Sequence, residues 1–551
     1  MKMRLTSFVA ACMTLFIFPA SASVLYVDLN SANPAPPYTN WVTAATNIQD
    51  AVNAAAVNDQ ILVTNGIYQY GGAYNGVSNR VYVAKAIQLQ SVNGPSVTVI
   101  QGGQAPNVVR CVYLVSGALL TGFTLTNGTA PSSSPFGGGV YCQSVGIGTA
   151  SAIVSNCIIR GNYALLAGGG AYKGTLINCV LIGNGTGAKG SAGQGGGANL
   201  STLYNCSVIS NTAFSFGNGR GGGVSTCTVS NCIIANNLSD LSGGGANDGR
   251  LVNCTLINNA VVNTNSSMAS ATGGGAYWAY LANCVVASNS ISGGAFGSVF
   301  GGGCGYCFGV TNCTIVGNSA LGPSGTAGGV YNSTLYNCIV YNNSAQTGSN
   351  WSAGGLYYSC TLPLPTTGQN NITNAPLFVD QAGGDLNLQS NSPCINAGGN
   401  KYAPGGRDFD GNTRIAGGTV DIGAYEFQTS ASVLSYAWAQ QYGLPTDGTA
   451  DNTDADGDGM SNWKEWKAGT NPTNALSVLQ LTSPVFTNSP AGMVVKWQSV
   501  SGITYYLQRS SDLAAGFSSI QSNLVGQAGT TTFTDTTSTN GGPYFYRVGV
   551  Q

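Results

Sequence analysis

Eight times along the middle of the chain one pattern recurs, φ-x-Asn-Cys-x-φ-x-x-Asn, in which φ is aliphatic. Its cysteines are Cys157, Cys179, Cys206, Cys232, Cys254, Cys284, Cys313 and Cys338, spaced 22 to 30 residues apart. Strand side chains alternate between faces, so each cysteine shares a face with the aliphatic residue two positions on, as Cys157 does with Ile159. Asparagine tolerates the left-handed backbone of a sharp bend and suits the junction between two short strands. Glycine triplets such as Gly168–Gly170, Gly195–Gly197, Gly221–Gly223 and Gly273–Gly275 mark a further bend, and insertions of variable length precede them. A unit of this length with fixed bends and three short strands predicts an all-β fold, one turn of a right-handed parallel β-helix per repeat. Coils of that kind stack about 4.8 Å apart, so equivalent side chains pile into ladders.

The eight cysteines are then expected to form a buried ladder of small, polarizable side chains, with asparagine ladders at the bends. Once Cys12 is removed with an export signal, fifteen cysteines remain, an odd number whose even spacing follows the repeat. Free thiols are therefore expected, with scattered bridges as the rival reading. Cys304 and Cys307 make a C-x-x-C, but no second pair and no histidine accompany it. Cys304 stands where other units have Val140, Ala171, Val224 or Ala246, which favours a place in the core.

The ends carry different signals. The opening MKMR, the apolar run to Phe18 and Ala20-Ser21-Ala22 have the three parts of a signal peptide, residues 1–22, with the mature chain expected near Ser23 or Val24. Val9–Cys12 also looks like a short lipoprotein box, but the apolar run continues past it. A secreted or cell-surface protein is expected, and no other stretch is long and apolar enough to span a bilayer. Residues 48–56 after Asn47 read as a short capping helix within a β-helix domain at 23–365, its solenoid running from about 57.

Beyond it, PLFVD (376–380), SPCINAG (392–398), DFDGNTR (408–414) and DIGAYEF (421–427) follow in order. This run resembles the choice-of-anchor Q module, which implies closure of a bacterial surface β-helix by residues 366–430. The glycine and φ-x-x-Asn elements also resemble the repeats of chlamydial-type polymorphic outer-membrane proteins, with Ile, Leu or Val in place of phenylalanine. Asp408, Asp410, Arg414, Asp421 and Glu426 form a dense charge group, expected to tie the last coil together rather than to bind calcium or another ligand.

Residues 454–465, DADGDGMSNWKE, place Asp454, Asp456, Asp458, Asn462 and Glu465 at positions 1, 3, 5, 9 and 12 of a calcium loop. Gly459 occupies position 6, and Met460 offers its carbonyl from position 7. Helices are expected on both sides, at 436–442 and 463–468, within a linker at 431–477. The segment resembles dockerin-like and thrombospondin-type-3-like calcium segments, and the resemblance implies structural calcium. Residues 478–551 alternate as a small β-sandwich. They resemble a fibronectin-III-like or immunoglobulin-like module, with Trp497 and Tyr546 as expected core aromatics.

Composition narrows the chemistry. Charged residues are 7% of the chain at net charge −1, which argues against nucleic acid or anionic lipid as partner. Histidine is absent, which removes the usual Ser-His-Asp and Cys-His nucleophiles. Parallel β-helices of the pectate-lyase-like kind often cleave uronate polysaccharides, but between residues 60 and 379 only Asp240 and Asp248 are acidic. A lyase site would have to draw on Arg220, Asp248 and Arg250. The leading expectation is a non-catalytic exported protein contacting extracellular polysaccharide or cell-surface glycan. A polysaccharide lyase is the alternative, and a structural coat component a further one.

Overall fold

The computed structural model describes residues 22–551 apart from 144–150, 188–191, 264–269, 294–297, 323, 404, 489 and 539–541. The export-signal reading, Cys12 included, falls on residues 1–21 and lies outside the described residues. Backbone contacts divide the chain into two compact units, Met1–Gly185 with Leu200–Thr202, and Thr186–Asn199 with Leu203–Gln551.

In the first unit the strands stack in parallel register coil upon coil. Val24–Val27 pairs with Gln60–Val63, which pairs with Gln88–Ser91, and the column continues through Leu119–Thr121 and Ile153–Ser155 to Thr175–Ile177. The stack therefore starts at Val24, well before the expected residue 57; four alternating residues without an Asn-Cys junction were too weak a signal. The helix Ile48–Ala54 (α1) is capped by Asn47, whose side chain accepts from the Asp50 N–H at 3.0 Å. It buries Ile48, Ala51 and Val52, and Gln49 bonds both backbone groups of Tyr82. The Lys85 ammonium donates to the carbonyls of Val52 and Asn53, where the helix end leaves acceptors unpaired.

The second unit shows the repeat most fully. Ala246–Val252 pairs in parallel with Val224–Ser230 on one side and Ala276–Ala282 on the other. Thr255–Ile257 lies likewise between Ile233–Ala235 and Val285–Ala287, and Ala260–Asn263 pairs with Ser290–Gly293. The chain is a mostly β protein built as a parallel β-helix. Positive φ marks the bends of this coil at Asp248, Asn253 and Asn258, and of the next at Trp278, Asn283 and Ser288. The asparagine before each cysteine does sit at a left-handed bend, and its amide reaches the equivalent asparagine one coil away, as from Asn283 to Asn253 at 2.8 Å.

The asparagine five residues after each cysteine does something else. It is not a bend residue but a buried ladder rung. Asn237, Asn259, Asn289 and Asn318 each send the side-chain amide and the backbone N–H to the Oδ1 of the next rung at 2.9–3.0 Å. The triplet Gly243–Gly245 makes room for this. Gly243 has φ +60°, while a Cβ on Gly245 would meet the Gly275 carbonyl at 2.7 Å and the Asn259 side chain at 2.9 Å.

All fifteen described cysteines are free and buried. The ladder sulfurs act as more than filler. Cys232 Sγ accepts the Cys206 N–H at 3.1 Å, and Cys313 Sγ accepts the Cys284 N–H at 3.3 Å. Ser359 Oγ takes the same part toward Cys338. Cys304 keeps strand register with Ala276 and Val330, and Cys307 is likewise buried.

Residues after the last coil do not simply plug its end. Ile395, Ile422, Ala424 and Leu386 pack on Val285, Val316 and Ile339, which point outward from the coils beside the inward Val286, Ile315 and Val340. The Asn337 amide exchanges hydrogen bonds with the backbone of Gly399, and the Gly423 N–H donates to the Asn337 carbonyl. The segment thus covers one flank of the final coils. Helices Tyr436–Gln441 (α2) and Asn462–Ala468 (α3) follow, the second ended by Gly469 at φ +72°. Two antiparallel three-stranded sheets at 481–550 then share a core of Val495, Trp497, Tyr505 and Leu507. Tyr546 is half-buried beside it, its hydroxyl donating to Asp535 at 2.9 Å.

Candidate functional site

The two carboxylates of the central coils are both engaged. Asp240 is fully buried and accepts the N–H groups of Ser215, Gly217 and Gly219, so it clamps the loop before Gly221. Asp248 sits at a left-handed bend, accepting its neighbour Gly249 N–H at 2.8 Å and the Thr226 hydroxyl at 3.4 Å. Arg220 is exposed near Tyr277, whose phenol is raised by burial although the guanidinium opposes the shift. Arg250 is exposed on the strand Ala246–Val252, abreast of Thr228 and Tyr280. No ion pair among the described residues joins Arg220 to Asp248.

What the structure does assemble on that face is aromatic. Trp278, Tyr280 and Phe308 are 49%, 54% and 51% exposed, large for such rings. Phe308 lies 5.8 Å from Trp278 and 5.4 Å from Tyr280, centroid to centroid, and Trp278 stacks on Tyr277 at 5.7 Å. Next to Tyr280 is a concavity of about 440 Å³ lined by Arg250, Tyr280, Gly309 and Thr311 among others. Glycine at 309 keeps the ring open, because a Cβ there would come within 3.4 Å of Tyr280 Cδ1. Sequence reasoning missed this row. Its only signal was Trp278 and Tyr280 two residues apart on one strand.

The acidic loop is a second site. Asp454, Asp456 and Asp458 bring one carboxylate oxygen each within 4.8 Å of one another. Asp454 is tied by the N–H groups of Gly457 and Gly459, both at 2.8 Å, and the Gly459 bond holds it below the usual carboxylate range. Glu465 is fully buried, its Oε1 met by Thr470 at 3.3 Å. Burial, then the charges of Asp456 and Asp458, push its carboxyl up to about 7. Asn462 turns its amide nitrogen to Ala450 and Thr453. Inaccessible oxygens of Asp456, Asp458, Asn462 and Glu465 have no protein partner. Met460 donates its N–H to Asp458, and its sulfur accepts from Leu479 N at 3.4 Å. Four oxygens without donors, from residues spaced around one turn, fit a hard divalent cation.

The charge group around Arg414 is built differently, with its oxygens satisfied by backbone. Glu426 accepts from Ala416 and Asp421, Asp421 from Asn396 and Phe427, and Asp408 from Asn412 and Glu426. Arg414 donates to the carbonyls of Ala424, Asp421 and Gly423 and lies 4.0 Å from Glu426. Asp410 stays outside, near Asn387. Burial pushes Asp421 up to about 7, and burial with the Asp421 charge pushes Glu426 up to about 8. Folded values above the unfolded ones mean stability present at acid pH and lost as pH rises through 7 to 8. With calcium present, the thermal midpoint is expected to fall between about pH 5 and about pH 8.5, and Glu426→Gln to flatten that slope. An unchanged slope in the variant would refute the assignment.

Among the described residues no helix is long and apolar enough to cross a membrane. No family model matches the chain, and no curated protein matches it in sequence. Among solved structures it is similar to the pectate lyase Pel9A at 15% identity, over 74% of this chain and 97% of that one, with a TM-score of 0.37. It is similar to the A-module of the Azotobacter vinelandii mannuronan C-5 epimerase AlgE6 at 14% identity, over 60% and 95% of the two chains, with a TM-score of 0.26. The enzymatically active domain of tailspike protein 2 from bacteriophage CBA120 is similar at 11% identity, over 89% and 62%, with a TM-score of 0.21.

Proposed function

We propose that this is an exported, non-catalytic β-helix protein that binds extracellular polysaccharide on the face carrying Trp278, Tyr280 and Phe308. The observation that carries the reading is the exposed aromatic row itself. Pyranose rings present C–H groups on their faces, and the electron-rich face of an aromatic ring attracts them while shedding water. Flanking hydroxyl and amide side chains suit sugar hydroxyls. Cleavage is not part of the reading, because the carboxylates of Asp240 and Asp248 already accept hydrogen bonds.

The acidic loop would hold calcium through Asp454, Asp456, Asp458, Asn462, Glu465 and the Met460 carbonyl. Its work there is structural, fixing the segment between the flank cover and the sandwich.

The test incubates the purified protein with a panel of neutral and acidic polysaccharides and measures both retention and new chain ends. Retention without cleavage is expected, and the triple variant Trp278→Ala, Tyr280→Ala, Phe308→Ala should lose at least about tenfold in affinity. Its stability should change little, since the rings are exposed. No retention by any member, or retention unchanged in the variant, would overturn the proposal. New chain ends would turn attention to the lyase reading and to Arg220, Asp248 and Arg250.

A further inference from the structure

We infer that the concavity beside Tyr280 selects an acidic sugar within an extended glycan chain, the ring lying on Tyr280 and the carboxylate on Arg250; this rests on the glycan reading above. Three observations converge. From residue 251 to residue 379 the chain has no Asp, Glu, Lys or Arg, so Arg250 stands at the edge of a long uncharged stretch. Its guanidinium is exposed and has no ion pair among the described residues. The one carboxylate close in sequence, Asp248, faces Thr226 of the preceding coil and its own neighbour Gly249.

An unpaired guanidinium offers two parallel N–H groups, the geometry that matches a carboxylate. Arg250 and Tyr280 are opposite one another on adjacent strands, so a ring on one places its substituent at the other. Gly309 follows on the next coil, in register with Tyr280, and sets no side chain against the ring, whose aromatic neighbour on that coil is Phe308 at 5.4 Å.

Coil spacing sets the chain direction. Thr228, Arg250, Tyr280 and Gly309 occur one per coil in strand register, about 4.8 Å apart. That advance is close to one pyranose width, so an extended chain running along the stack meets one coil per sugar. Extended segments of a polymer are therefore accepted, and tightly coiled glucans are not.

Calorimetric titration of the full protein with calcium distinguishes the outcomes. The probes are two length series, oligouronates and neutral β-linked oligosaccharides, each at low and high salt. Oligouronates are expected to bind at least about tenfold tighter than neutral chains of equal length, with affinity rising over the first three or four sugars. Arg250→Gln should erase that preference and its salt dependence while neutral binding persists. Gly309→Val should weaken both series by covering Tyr280, with the thermal midpoint held as a check on folding. Equal binding of acidic and neutral chains would overturn this inference and leave the glycan reading standing. Sulfated chains preferred over uronates would also overturn it, since the carboxylate would not be the group read. Binding of neither series would remove both.

Discussion

Asn259→Leu is expected to lower the unfolding free energy by about 3–5 kcal/mol, although leucine has nearly the shape of the residue it replaces. Asn259 is fully buried. Its Oδ1 accepts the Asn237 N–H and side-chain amide at 3.0 and 2.9 Å, and its own amide donates to the Ile234 carbonyl and Asn289 Oδ1 at 2.8 and 2.9 Å. Leucine would leave the Asn237 N–H without its acceptor and would strip one partner each from the Asn237 amide, Ile234 and Asn289. Orphaned buried groups cost about 1–3 kcal/mol each, and a half-satisfied network is worse than none. Asn253→Gly is the control, because Asn253 lies on the outer ladder at φ 53°, where glycine fits. That variant should cost under about 1 kcal/mol. Denaturant unfolding with hydrogen exchange on the neighbouring coils separates a local lesion from global loss. A loss for Asn259→Leu no larger than that of Asn253→Gly would sink the assignment of the inner ladder as a structural spine.

The contrast between those two asparagines shows what could be read beforehand. Strand phase was legible, because Cys254 and Leu256 alternate into the core and Asn253 must turn the chain. That two asparagines in one motif do opposite jobs was not, since bend and rung have the same side chain and differ only in φ. The clustering of Asp454, Asp456 and Asp458 was legible because these residues are local in sequence, whereas the closeness of Tyr280 and Phe308 depends on stacking distant residues. An additional shift enters there: Tyr280 pairs with Gly309 while Ala276 pairs with Cys304, so one coil carries an extra residue. The flank cover was misplaced for a related reason. Val285 and Val286 are apolar on both faces of one strand, which in a solvated coil would be anomalous and here marks a second burial surface.

Removal of divalent cations is expected to open the segment around α3, and the effect should grow with pH. Without a cation, Glu465 is held up to about 7 by burial and by Asp456 and Asp458. A carboxyl whose folded value lies above its unfolded one contributes stability below about pH 4.5 and loses it as pH rises through about 7. Chelated protein should therefore become more easily cleaved by protease near residues 451–465 between about pH 5 and about pH 8. Bound calcium reverses the balance, because the ion competes with the proton for the Glu465 carboxylate. Calcium affinity should climb over the same range and level off above about pH 7.5. Asp454 does not contribute to this slope, since Gly459 keeps it ionised throughout. Glu465→Gln should weaken calcium by about a hundredfold and abolish the pH dependence of affinity together. Calcium titrations at several pH values, with proteolysis as an independent readout, test both halves. Protection that is the same with and without calcium would refute the site, and affinity that is flat with pH would refute Glu465 as the residue that couples the ion to the fold.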